Sequence, residues 1–137
     1  MSIVLDASMA IAWAVPEQQT EISREVLSRV GAEGAFVPSL WKLEVANVLR
    51  NLVRRNRCDE KFASASLDLL ARLQITIDQE TDVHAWGRTR ELAIKFDLTI
   101  YDAAYLELAL RREGTLATLD RALADAARRA TLNVIHQ

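Results

Sequence analysis

Short unbroken apolar runs recur along this chain, separated by longer stretches in which apolar residues return every three or four positions. The runs "SIVLD", "AFVP", "ITID", "TLATLD" and "NVI" have the length and content of buried strands. They predict strands ending at Asp6, near Pro38, near Asp78, at Asp120 and near Ile135. The intervening segments carry a helical period. They predict a brief helix over 8–15 stopped near Pro16, and a second over 20–30 ended by Gly31. A long helix in "LWKLEVANVLRNLVRRN" follows, with Ser39 as N-cap, and another runs from a cap at Asp59 to about Leu73. Further helices are expected over 82–95, over "YDAAYLELALRRE" until Gly114, and over "RALADAARRA". Strands alternating with helices imply an α/β fold. Its short central parallel sheet of about four to five strands is flanked by helices on both faces.

The length of 137 residues suits one domain, 1–137, with a real core. A hydrophobic share of 50% with 26% charged residues excludes a disordered chain. No apolar run approaches the roughly 20 residues of a membrane span, and the N-terminus has no signal-peptide pattern. Cys58 is the only cysteine, which excludes an internal disulfide and a thiolate zinc cluster and fits a reducing cytoplasm. A net charge of −2 leaves any nucleic-acid contact to local basic clusters. These are Arg50 to Arg57, Arg111–Arg112 and Arg128–Arg129.

The chemistry resides in carboxylates. "LTIYDAAYLELAL" sets Asp102 in a run that otherwise reads as core, where an unpaired charge is costly. Asp6 and Asp120 fall at the carboxyl ends of predicted strands, where α/β sheets collect ligands. Glu44 lies at the edge of the apolar face of the long helix, with Asn47 and Asn51. Each aspartate also reads as a helix cap or first-turn acid, and Glu44 as a solvated side chain. Collected in one cleft, such groups repel by roughly 4 kcal/mol per pair at about 4 Å and an effective dielectric near 20. They then need protons or a hard cation, Mg²⁺ or Mn²⁺. His84 and His136 have no partner at metal-ligand spacing, and no nucleophile elbow or phosphate-cradling glycine loop is present.

Four motifs, "IVLDASMAIAW", "VPSLWKLEVANVL", "LTIYDAAYLELA" and "TLATLDRALADAA", occur in order over essentially the whole chain. Together they resemble the PIN-domain family, and more narrowly its VapC-type toxin ribonucleases from toxin–antitoxin pairs. The resemblance implies a PIN-like fold and a metal-dependent endoribonuclease. Asp6, Glu44, Asp102 and Asp120 would surround one or two Mg²⁺ or Mn²⁺ ions. Ser8 and Thr118 match hydroxyl residues of the motifs and would support the acids or bind water. It also implies a cognate VapB-like antitoxin, a homodimer and an RNA substrate. Arg50, Arg54 and Arg55 are candidates for the RNA backbone, or else a solvated helix end. Tyr101 and Tyr105 are candidates for base stacking, with core packing expected of at least one. Trp41 is read as core, while Trp13 is left open between core and the lining of an antitoxin groove. Asp125 reads as an exposed partner of Arg121 or Arg128.

Two other classes compete. In an aspartate-based phosphatase or phospho-acceptor domain Asp6 would be the nucleophile. Such a phosphatase wants a second aspartate where Ser8 stands, and a receiver domain wants a late lysine, whereas the last lysine here is Lys95. In a non-catalytic interaction module the acids would only cap helices.

Overall fold

The computed structural model describes residues 2–136. Five strands, β1 (Ile3–Leu5), β2 (Ala35–Val37), β3 (Ile75–Ile77), β4 (Thr115–Ala117) and β5 (Asn133–Ile135), form one sheet in the order β3-β2-β1-β4-β5. Every neighbouring pair is parallel, with β1 registered on β4 through Ile3–Thr115, Val4–Leu116 and Leu5–Ala117.

Among the described residues eight α-helices connect the strands: α1 (Ala7–Ala14), α2 (Glu21–Glu33), α3 (Trp41–Arg54), α4 (Glu60–Ala71), α5 (Thr81–His84), α6 (Arg88–Phe96), α7 (Ile100–Arg111) and α8 (Arg121–Arg129). Parallel crossovers are right-handed, so connections running in opposite directions along the sheet place their helices on opposite faces. α1 to α4 accompany the steps from β1 through β2 to β3, and α5 to α8 accompany the return through β4 to β5. The helix contacts follow this division: α1 packs on α2 and α3, and α3 on α4, whereas α7 packs on α5, α6 and α8. Val4, Leu5, Leu106, Leu108, Leu116 and Leu123 lie wholly buried between the layers. Among the described residues no helix is long and apolar enough to cross a membrane.

Several predicted boundaries shift. Gly31 lies inside α2, which runs on to Glu33 and stops at Gly34, where φ is +77°. The opposite end of α2 is fixed by a capping box between Thr20 and Ser23. Ser39 does not cap α3. Leu40 occupies that position, and the Ser39 N–H donates to Thr81 Oγ1 at 3.1 Å instead. Asp59 does cap α4, accepting from the Phe62 N–H at 2.7 Å. The single helix expected over 82–95 is broken into α5 and α6 at Gly87, whose φ of −112° and ψ of −103° leave the helical region. β4 ends three residues before Asp120, which is the N-cap of α8.

Candidate active site

β1 is the point at which the sheet order reverses: β2 and β3 extend to one side of it, β4 and β5 to the other. The crevice between the carboxyl ends of β1 and β4 is where open parallel sheets bind ligands. Asp6 follows β1 directly, and its N–H donates to the Ala117 carbonyl at 3.0 Å. Its side chain makes no cap bond to α1. Instead Oδ2 accepts from Ser8 Oγ at 2.6 Å and from Thr118 Oγ1 at 2.7 Å. Those hydroxyls are oriented from behind: Ser8 Oγ accepts the Leu119 N–H and Thr118 Oγ1 the Asp120 N–H, both at 2.9 Å. Each hydroxyl proton is thus committed to Asp6. The loop after β4 and the start of α1 are joined by the same bonds.

The other three acids come from helix N-termini. Glu44 is in the first turn of α3, Asp102 is in the first turn of α7, and Asp120 caps α8. For Asp120 the capping reading applies to one oxygen, as Oδ1 accepts the Leu123 N–H at 3.3 Å. Asp102 is itself capped from outside, with Thr99 Oγ1 accepting its N–H at 3.1 Å, so its carboxylate stays out of the cap.

The four acids act on one another. Asp6 is buried, and burial raises its pKa against the pull of Ser8 and Thr118, with Asp120 adding repulsion. Burial also raises Glu44, opposed by a hydrogen bond from Tyr105 and reinforced by the charges of Asp6 and Asp102. Asp102 is pushed up to about 6 by burial and then by Asp120 and Asp6. No basic side chain is among the groups shifting these three carboxyls. This is the electrostatic setting in which a hard divalent cation is favourable. Among the described residues, no three His, Cys, Asp or Glu side chains stand close enough to cage one ion directly. An ion held here would reach part of its carboxylate shell through retained water, as Mg²⁺ commonly does.

Tyr105 is the member of the Tyr101–Tyr105 pair that packs in the core, as expected of at least one of them, but its contact with Glu44 was not anticipated. Its ring is 0% exposed, and its hydroxyl donates to Glu44 Oε1 at 2.5 Å across 61 residues of sequence. Burial and the charges of Asp6 and Glu44 raise its pKa, so it remains a donor at every relevant pH. The available signal was helical spacing: Tyr105 lies three residues after Asp102, and a buried phenol needs a polar partner. Tyr101 differs, with 65% of its surface exposed. It borders a groove beside the acids together with Leu40, Leu43, Glu44, Asn47 and Arg50.

Of the basic candidates, Arg50 lines that groove, while Arg54 and Arg55 lie farther along beside Asn51. Arg111 is taken out of consideration for nucleic acid by its bonds to Asp78 and Glu107, and Arg112 stacks over the Phe36 ring at 3.4 Å. Arg128 pairs with Asp125 at 3.5 Å. Trp13 is core, its Nε1 donating to the Ser23 carbonyl at 2.7 Å. Trp41 is buried too, and borders an apolar groove with Val45, Leu67, Leu70 and Ile75. His84 is beside Glu80 at 3.7 Å.

A family model described as "PIN domain" matches residues 3–129. Ribonuclease VapC3 of Pyrobaculum aerophilum is 35% identical over 125 residues, covering 91% of this chain and 94% of that protein. The crystal structure of PAE2754 from Pyrobaculum aerophilum superposes with a TM-score of 0.71 at 24% identity, covering 98% of this chain and 83% of the other. The structure of VapBC2 from Rickettsia felis, bound to a DNA fragment from their promoter, gives 0.68 at 15% identity, covering 100% and 99%. These superpositions agree with the five-stranded parallel α/β architecture.

Proposed function

The chain belongs to the PIN-domain family, and from that premise we propose that it is an endoribonuclease toxin of a toxin–antitoxin pair, hydrolysing RNA phosphodiester bonds with Mg²⁺ or Mn²⁺. The observation that carries this reading is the mutual repulsion that couples Asp6, Glu44, Asp102 and Asp120 in one crevice, with no basic side chain among the described residues shifting them. Asp6, Asp102 and Asp120 would hold the ion, directly or through water, and Glu44 would bind it or orient the attacking water. A bound divalent ion supplies charge neutralisation at the phosphodiester and acidifies the water it holds. Ser8 and Thr118 keep Asp6 in place for that task. Arg50 offers a cation for a flanking phosphate, and the exposed Tyr101 ring offers a face for an unstacked base.

The relatives' names support an antitoxin partner. In this reading the acidic crevice accepts an arginine or lysine of the VapB-like antitoxin in place of the metal. The apolar groove bordered by Trp41 would seat part of the antitoxin chain. A cytoplasmic homodimer completes the proposal. The test is cleavage of total RNA by purified protein with Mn²⁺ or with chelator, beside Asp6→Asn and Asp102→Asn. Metal-dependent cuts that both substitutions abolish, with circular dichroism unchanged, are expected. Cleavage that persists in either variant or in chelator would falsify the assignment.

A further inference from the structure

We propose that Tyr105 is a positioning residue for the metal site, restricting Glu44 to a single-oxygen ligand. This rests on the nuclease reading and extends it to a residue that touches neither metal nor RNA. The Tyr105 hydroxyl has its one proton on Glu44 Oε1, and the ring is locked by complete burial in the core side of α7. Among the described residues Glu44 makes no other hydrogen bond or ion pair, so Oε2 is the oxygen left for a ligand. A glutamate on the first turn of an exposed helix edge otherwise samples several rotamers, and holding it still removes that entropy before binding. The same device operates on Asp6, where two hydroxyls share Oδ2. One-oxygen carboxylate ligands suit an ion that wants six-fold geometry and retained water, and do not suit the bidentate grip of Ca²⁺.

Tyr105 also couples the two sheet faces. Glu44 is on α3 and Tyr105 on α7, helices from opposite layers that meet above the strand ends at this bond. The hydroxyl therefore fixes the distance between the α3 acid and the acids of β1, α7 and α8.

The experiment is Mn²⁺ titration of the metal-free full chain, with free ion read by electron paramagnetic resonance. The proteins compared are wild type, Tyr105→Phe, Glu44→Gln and the double variant. Tyr105→Phe should weaken Mn²⁺ binding about 10- to 100-fold, the range for partners that orient metal ligands. In the Glu44→Gln background it should add nothing, and discrimination of Mn²⁺ against Ca²⁺ should narrow in the single variant. Wild-type affinity in Tyr105→Phe, or full additivity in the double variant, overturns the inference. Failure of the wild type to take up Mn²⁺ overturns it together with the nuclease reading, which separates the two cases. A second measurement needs no Tyr105 variant: the wild-type tyrosine hydroxyl proton resonance should move on Glu44→Gln, and a resonance indifferent to that change counts against the inference.

Discussion

Arg111, the last residue of α7, grips Asp78 at the corner after β3 through two parallel bonds, Nη1 to Oδ1 at 2.9 Å and Nη2 to Oδ2 at 2.7 Å. The same guanidinium donates from Nε to Glu107 Oε2 at 2.7 Å and from Nη2 to Oε1 at 3.0 Å. Glu107 is 4% exposed, so its charge has little water to fall back on. Thr81 donates to Asp78 at 2.9 Å and accepts the Ser39 N–H, which carries the network to the entrance of α3.

Removing Arg111 leaves two buried carboxylates without a counter-charge, of which only Asp78 keeps a bond from Thr81. Arg111→Met should therefore cost about 3 kcal/mol, the lower end for breaking a buried pair from one side. In a chain of this size that is a fall of about 10 °C in Tm. Arg112→Met, next to it, should cost far less, because its guanidinium lies over Phe36 without a carboxylate. Thermal melts of the two variants check the contrast, and equal losses would show that the network carries no stability.

The acidic crevice gives the metal-free protein a pH dependence of definite sign. Asp102 moves from an ordinary 3.8 to about 6 in the folded state, and Asp6 and Glu44 move the same way. Through that window the folded protein holds protons the unfolded chain has lost, so stability must fall as pH rises. Asp78 moves the other way, held low by Arg111, and acts only below the ordinary carboxylate range. Melts in chelator should therefore show Tm dropping between about pH 4 and pH 7, with Asp102→Asn flattening the slope. Added Mn²⁺ should raise Tm most at the upper end, where the acids are ionised. A metal-free Tm that climbs through this window would contradict the arrangement.

Thr118 serves two backbone-linked bonds at once, donating to Asp6 and accepting the Asp120 N–H. Thr118→Val keeps the shape and removes both. It should cost about 1–3 kcal/mol, the penalty for orphaned buried polar groups, and reduce RNA cleavage. Thr118→Ser, which restores the hydroxyl, should recover most of both. Cleavage and melting measured on the pair decide whether the hydroxyl or the packing matters.

The acids were legible in the sequence because strand ends and helix starts have local signatures. Asp6 and Asp120 follow apolar runs, and Asp102 interrupts one. The support around them was only partly legible. Ser8 and Thr118 were indicated by motif, but their shared attachment to one oxygen of Asp6 depends on the β1–β4 register, which no local pattern encodes. Tyr105 and Glu44 are 61 residues apart, and Arg111 and Asp78 are 33 apart. Either member alone reads as a packed aromatic or a solvated charge. The Arg111–Arg112 pair accordingly looked like a basic patch, although one of its members is satisfied internally. Pairing between distant segments is a property of the fold, and side-chain type alone does not announce it.

The two glycines at the end of α2 show the same limit at the backbone level and supply a sharp test. Gly31 looks like a terminator in sequence, yet it is helical, and a Cβ there would meet nothing within 4 Å. Gly31→Ala should stabilise the protein by about 0.5–1 kcal/mol, since alanine loses less backbone entropy on entering a helix. Gly34 is the real terminator, with φ of +77° and a Cβ position 2.9 Å from the Gln74 carbonyl oxygen. That carbonyl also accepts the Ala35 N–H at 3.0 Å, so it cannot retreat without loosening the β2–β3 edge. Gly34→Ala should thus destabilise by more than about 1 kcal/mol. Urea melts of the two single variants should move in opposite directions, and a shared direction would mean that the end of α2 has been placed wrongly.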